Sequence, residues 1–275
     1  MVSDRRQIDP EEGIGHIRFR DLAEWEIIGE QVWQSSRRRP ETWRDQPQRL
    51  RGRMYNKYNI EVLFDELWRR HKATRDITNR ANPSQDAYPD KVAPVVRNTP
   101  DGEREIANLT WGMPSPSFVT KGKPDYGVTN IRNVESPHWR RWLGVQNRCL
   151  VPWTAFIEWE EIAPKKKVER QFVIDPSKPL AFFAGIWTPW KGERGSQKNP
   201  RAGEHELFGF LTCEANAVVK PIHAKAMPVL LTSEADIDLW MTAEWDLAKV
   251  LQRPYPNEAM AVVPAATTTT EPLLI

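Results

Sequence analysis

Cysteine is nearly missing from this chain. Two residues, Cys149 and Cys213, occur in 275, too few for a disulfide scaffold. Both lie in apolar, strand-like runs, so reduced core thiols and a cytoplasmic setting are expected. No apolar run approaches the roughly 18 residues of a transmembrane helix, so no membrane association is expected. The opening "MVSDRRQIDPEEG" lacks the apolar centre of a secretory signal. Charge of one sign is also missing. Against 39 basic residues stand 37 acidic ones, so bulk electrostatics name no partner, although a balanced sum can hide a local basic patch. No His/Cys pair has zinc spacing, which argues against a structural metal. A glycine-rich phosphate loop and a G-x-S-x-G elbow are absent too.

Tryptophan is what the chain has in quantity, 13 residues. Most large aromatics fill cores, and a fraction of so many can form a stacking surface. Residues 1–53 differ from the rest. "DLAEWEIIGEQVW" (21–33) has helical spacing. The arginine-rich, proline-broken "RRRPETWRDQPQRLRGR" that follows reads either as a solvated, flexible segment or as a nucleic-acid contact. "RGRMYNKYNI" then looks like a second beginning, with Met54 followed by Tyr55 and by the helical pattern "EVLFDELWRR". Residues 73–92 read as a loop. "APVVRN" (93–98) and "IANLTWGM" (106–113) read as strands joined by the Pro-Asp-Gly turn of "TPDGERE". Four further apolar runs have strand length: 148–161, 170–176, 180–190 and 205–215. "SEADIDLWMTAEWDLAKVLQR" (233–253) reads as a helix capped by Ser233. The expected architecture is α+β: one domain over 54–260 with a curled β-rich core and peripheral helices, after an extension over 1–53 and before a loose tail over 261–275.

Four stretches can carry chemistry. "NIRNVESPHWRRW" (130–142) gathers an asparagine, arginines and tryptophans. "VPWTAFIEWEE" (151–161) sets Glu158 between Ile157 and Trp159. A carboxyl buried among such neighbours has its charged form disfavoured and suits general acid work; the same glutamate also fits the polar face of a half-buried strand. "VVKPIHAKAMPVLL" (218–231) places His223 and Lys225 between two apolar segments. That histidine reads either as structural or as functional. "LTWGMPSPSF" (109–118) sets Trp111 before a glycine and a proline-rich turn.

In order and spacing, "WGMPSPSF", "TNIRNVESPHWRRWL", "NRCLVPWTAFIEW", "LAFFAGIWTPW" and "PIHAKAMPVLL" resemble the successive blocks of the SOS-response-associated peptidase (SRAP) family, the abasic-site processing proteins. The resemblance runs from about Met54 to about Pro254. It implies a protein of the DNA-damage response that needs no cofactor, acts as a monomer, is cytoplasmic or associated with a nucleoid, and binds single-stranded DNA at abasic sites. Family members expose an N-terminal cysteine whose amine and thiol trap the opened sugar as a thiazolidine. Met54 stands at the initiator position, and Tyr55 stands where that cysteine belongs. The resemblance therefore implies that covalent trapping is lost, leaving a non-covalent binder or a Schiff-base lyase working through a terminal amine. It assigns Asn130 to orienting the sugar, Glu158 to proton transfer in ring opening and His223 to the sugar's side. It assigns Trp111 and Trp159 to supporting the strand, and Arg132 and Lys225 to phosphates. Thr212 and Pro89 are further DNA contacts by the same resemblance.

Overall fold

The computed structural model describes residues 57–60, 73, 75–78, 85–99 and 101–264. The extension to residue 53, Tyr55, the helices expected at 21–33 and in "EVLFDELWRR", and the tail beyond 264 lie outside the described residues. In chain order, β1 (Lys57–Asn59), β2 (Arg75–Asp76), β3 (Asp86–Ala87), β4 (Val92–Asn98) and β5 (Arg104–Trp111) come first. Two one-turn helices, α1 (Ser117–Thr120) and α2 (Pro137–Arg140), flank β6 (Asn130–Ile131). Next come β7 (Arg148–Trp153), β8 (Ala155–Ala163), β9 (Lys166–Val173), β10 (Ala181–Ser196), β11 (Asn199–Cys213), β12 (Met227–Pro228) and β13 (Leu230–Leu231). Helices α3 (Glu234–Thr242) and α4 (Trp245–Ala248) and the strand β14 (Ala261–Pro264) complete the described chain.

The fold is α+β, built on a closed barrel of five strands. Antiparallel pairing runs from β11 through β10, β7 and β4 to β5. A parallel pairing of β5 with β11, Trp111 beside Phe208, closes the ring. Closure leaves these strands no free edge along the paired stretch. A second, antiparallel sheet has the order β14-β9-β8-β1-β3. Aromatic contacts join the two. Tyr58 of β1 meets Trp111 edge-on at 5.0 Å and Phe183 at 5.5 Å. Phe156 of β8 also meets Phe183 of β10 at 6.3 Å, while Trp153 stacks on Phe183 within the barrel at 5.0 Å and 3° and Phe156 stacks on Phe172 within the second sheet at 4.9 Å. Each such pair contributes about 0.5–1.5 kcal/mol beyond its buried area.

Five expectations need correcting. The run 148–161 is two strands rather than one. It breaks at Thr154, whose N–H and hydroxyl both donate to the Asn59 carbonyl, and its halves join different sheets. The loop expected over 73–92 holds the short strands β2 and β3. β10 and β11 extend past their apolar runs into a polar ribbon that pairs residue for residue to Ser196 opposite Asn199. Backbone pairing rather than burial forms this ribbon, which hydrophobic pattern cannot reveal. The helix expected over 233–253 ends at Thr242. The buried Arg148 guanidinium donates to the carbonyls of Trp240 and Ala243, which a continuous helix would need for its own ladder. Burial pushes that guanidinium down to about 10, still cationic at neutral pH. Ser233 does cap α3, accepting from Asp236 N–H at 3.1 Å. Lastly, the stretch expected to be loose from 261 contributes an edge strand as far as 264, pairing with β9.

The segment after β5 is fixed by polar contacts. Met113 and Val128 exchange backbone hydrogen bonds of 2.9 and 2.8 Å. The buried Asp125 carboxylate accepts from Ser115 N–H, Ser115 hydroxyl and Gly127 N–H at 2.6–2.7 Å. The buried Arg194 guanidinium lies against Gly112 and Gly127; a Cβ on Gly127, whose φ is +78°, would fall 2.4 Å from its Nη1. Only glycine suits that close approach at a left-handed φ.

Candidate functional site

A narrow well opens where the two sheets meet, lined by Tyr58 and Lys57 of β1, Ile157 and Glu158 of β8, Asn130 of β6, Thr212 of β11 and His223. It offers about 30 Å³ to water-sized molecules, roughly two waters at ~10–15 Å³ each. A small polar group fits; a nucleobase does not.

Strand alternation buries Ile157 and leaves Glu158 half-buried at the rim. His223 reaches it from the turn after β11. Asn216 holds that turn: its Oδ1 accepts from Val218 and Val219 N–H, and its Nδ2 donates to Tyr255 O at 2.9 Å. His223 N–H then donates to Val219 O at 2.9 Å. His223 Nδ1 lies 2.7 Å from Glu158 Oε1, with side-chain exposures of 26% and 22%. The approach is off the N–H axis, so charge holds this pair more than a linear hydrogen bond does. Contact with Glu158 raises the His223 pKa above its ordinary value, overcoming burial and the Lys225 charge.

Asn130 is positioned by the parallel pairing of β6 with β11, opposite Phe210. Its Oδ1 is buried with no partner. The Tyr58 hydroxyl, in a residue 1% exposed, is likewise unpaired, and burial raises its pKa well above that of a free phenol. Burying a polar atom without a partner costs about 1–3 kcal/mol. Asn130 Oδ1, in the well lining, is an acceptor that a bound polar group could satisfy.

The structure thus brings Asn130, Glu158, His223, Thr212 and Trp111 to one well. Trp111 is 1% exposed, lies near-parallel to Phe210 at 5.2 Å and donates to Thr129 O. It forms the floor and offers no open face for a base. Trp159 follows Glu158, half-buried. Arg132 and Lys225 lie outside the lining. Arg132 Nη1 donates to the carbonyls of Lys225 and Cys213, bracing the turn that carries His223, while its side chain stays 44% exposed. Lys225 is exposed beside His223. Pro89 lies in the turn before β4, away from the lining. Sequence reasoning missed Lys57, Tyr58 and Phe210; the alternation in "KYN" was the available signal for the first two. Burial opposes the Lys57 charge, yet Asp86 at 3.2 Å and Glu169 at 3.6 Å outweigh it and raise its pKa, so its amine is a poor nucleophile. Both cysteines are free and buried, outside the lining. Burial pushes the Cys213 thiol up to about 12 and Cys149 higher still. Among the described residues no three His, Cys, Asp or Glu side chains are grouped to hold a metal, and no helix is long and apolar enough to cross a membrane.

Residues 51–272 match the family described as SOS response associated peptidase (SRAP). The chain belongs to the SRAP family. Curated relatives include the abasic site processing protein YoqW of Bacillus subtilis, 28% identical over 65% of this chain and 77% of that protein. Another is the abasic site processing protein YobE of the same organism, 24% identical over 81% of this chain and 99% of that protein. Solved structures share this fold at lower identity. A Bacteroides thetaiotaomicron protein superposes with a TM-score of 0.61 at 19% identity, covering 77% of this chain and 92% of its own. A Bordetella bronchiseptica protein gives 0.60 at 19%, covering 76% and 99%.

Proposed function

We propose that this SRAP protein recognises abasic sites in single-stranded DNA and opens the baseless sugar with Glu158 and His223, without forming a thiazolidine. The observation that carries the reading is the 2.7 Å Glu158–His223 contact inside a well too narrow for a base. The base of an intact nucleotide is turned away by size, whereas the bare C1′ hydroxyl of an abasic sugar enters, leaving the ring at the rim beside Glu158 and His223. There the Glu158 carboxylate takes the proton of the hemiacetal hydroxyl on C1′. The C1′–O4′ bond breaks, the C1′ carbonyl forms, and the His223 imidazolium protonates O4′. Water at the open rim then takes the proton from Glu158 and returns one to His223, restoring the starting charges. Asn130 Oδ1 accepts from a sugar hydroxyl and holds the ring for this transfer.

Trapping would stop there. Tyr55 bears a phenol of pKa about 10, which cannot close a sulfur ring, and Cys149 and Cys213 are buried elsewhere. Names of relatives such as YoqW, an abasic site processing protein, support the substrate class.

The test compares one oligonucleotide carrying an intact base, a natural abasic site or a tetrahydrofuran analogue that cannot open. Tighter binding of both baseless strands is expected. Faster capture of the natural site's aldehyde by methoxyamine is expected too, and Glu158→Gln should abolish that acceleration. Equal affinity for the base-bearing strand would overturn the reading.

A further inference from the structure

A second cleft lies along the proline-rich turn after β5. Its walls are Pro114, Phe118, Pro137, Arg141, Trp142 and Trp190, and it offers about 390 Å³ where the well offers about 30 Å³. One wall is pre-arranged. His138 Nε2 lies 2.8 Å from the Pro114 carbonyl; that oxygen can only accept, so Nε2 carries the proton. His138 Nδ1 then accepts from Arg141 Nη2 at 3.4 Å, and Arg141 Nε donates to His138 O at 3.0 Å. These contacts hold the guanidinium over the Trp142 ring at 4.9 Å, while the His138 ring meets Trp142 edge-on. Phe118 is 75% exposed at the lip. The lining includes an arginine and a histidine and no carboxylate.

We infer that this cleft is a stacking subsite for one intact nucleobase of the strand whose baseless sugar presents its C1′ hydroxyl to the well. The inference rests on the abasic-site reading above. Indole faces and guanidinium planes are the surfaces on which unpaired bases stack, and a wall of one arginine without acids suits a polyanionic strand. The spacing suits it as well. Phe183 in the well and Trp190 in the cleft lie seven residues apart on β10, roughly 23 Å at ~3.3 Å per residue. A strand rising ~3.4 Å per nucleotide covers that in about seven nucleotides, and a stretched strand in fewer. The Met113–Val128 pairing and the Asp125 contacts hold the segment after β5 rigid, so the two sites keep a fixed separation.

Two variants on the full chain test the subsite, Phe118→Ala and Arg141→Gln. Both side chains are exposed, so neither change should move the melting temperature. Binding is measured to two strands with a central tetrahydrofuran site, one with bases on both flanks and one with the flanking bases removed. Each variant is expected to weaken the first about fivefold or more and to leave the second unchanged. Equal losses on both strands, or none on either, would overturn the subsite; the latter leaves the cleft to a protein partner. Wild-type protein that shows no preference for baseless over base-bearing DNA sinks the abasic-site reading and this inference with it. A wild type with that preference, whose variants bind both strands normally, sinks this inference alone.

Discussion

The well and the cleft stand close along the chain and are built oppositely. The well is narrow, floored by buried aromatics, and carries its polar groups at the rim and walls, with the Asn130 Oδ1 and Tyr58 hydroxyl left unpaired. The cleft is over ten times roomier, has exposed rings and keeps a cation over one of them. The difference lies in what each can exclude. A site that must detect a missing base needs too little room for one, and its chemistry needs fixed proton donors and acceptors. A site that holds any neighbouring base needs flat faces and tolerance. Tryptophan serves in both, as floor in Trp111 and as wall in Trp142, and burial separates the two uses.

The sharpest way to break this comparison is to restore the cysteine that Tyr55 replaces. Expressed from Met54, Tyr55→Cys should convert a protein that yields no heat-stable adduct with abasic single-stranded DNA into one that does. Methionine removal would free amine and thiol together. Denaturing gels after heating read the result, and a stable adduct from the Tyr55 protein would contradict the proposal outright.

Next in size is the contrast between floor and lip. Trp111→Ala should destabilise the fold by about 3–5 kcal/mol, seen as a large fall in melting temperature. Phe118→Ala should stay within about 0.5 kcal/mol. If Trp111→Ala kept full stability and lost only DNA affinity, the floor assignment would be wrong and an open stacking face would have to exist.

A smaller effect follows from the Glu158–His223 contact. The folded His223 pKa is raised above its usual 6.5. The pair's stabilising contribution is therefore complete below about 6.5 and fades as pH rises through the folded value. Glu158→Gln should return the His223 titration, followed by imidazole proton shifts, toward lower pH and flatten this part of the stability profile. An unchanged His223 midpoint would show that the 2.7 Å contact does not govern it. The smallest expected effect concerns Lys225. If it neutralises one phosphate, Lys225→Gln should reduce the slope of log affinity against log salt by about 0.7. The same experiment on Arg132, whose guanidinium also braces the His223 turn, should lose turn rigidity as well as charge.

Much of the barrel was legible because its strands are apolar runs bounded by turn residues: 93–98 and 106–113 fall on β4 and β5, and 180–190 on the first two thirds of β10. The polar half of the β10–β11 ribbon was not, since backbone pairing forms it without burial. Nor was the break at Thr242, because nothing local announces that Arg148, distant in the chain, takes the carbonyls there. At the candidate site, the resemblance named Asn130, Glu158 and His223 together, whereas the residues read singly left Glu158 and His223 open between structural and functional roles. Trp111 and Trp142 looked alike in the sequence.

By itself the sequence determined the α+β class, most strand centres, the cap at Ser233, the SRAP blocks and the tyrosine in place of the family's cysteine. These are local patterns of period, turn chemistry and residue identity. Only the tertiary structure decided that Glu158 meets His223 at 2.7 Å, that Arg132 braces rather than lines the well, and that one tryptophan is floor and another wall. Those outcomes depend on pairing between distant strands and on which faces the closed barrel leaves open. Closure of β5 onto β11 is a long-range event that no window of sequence contains.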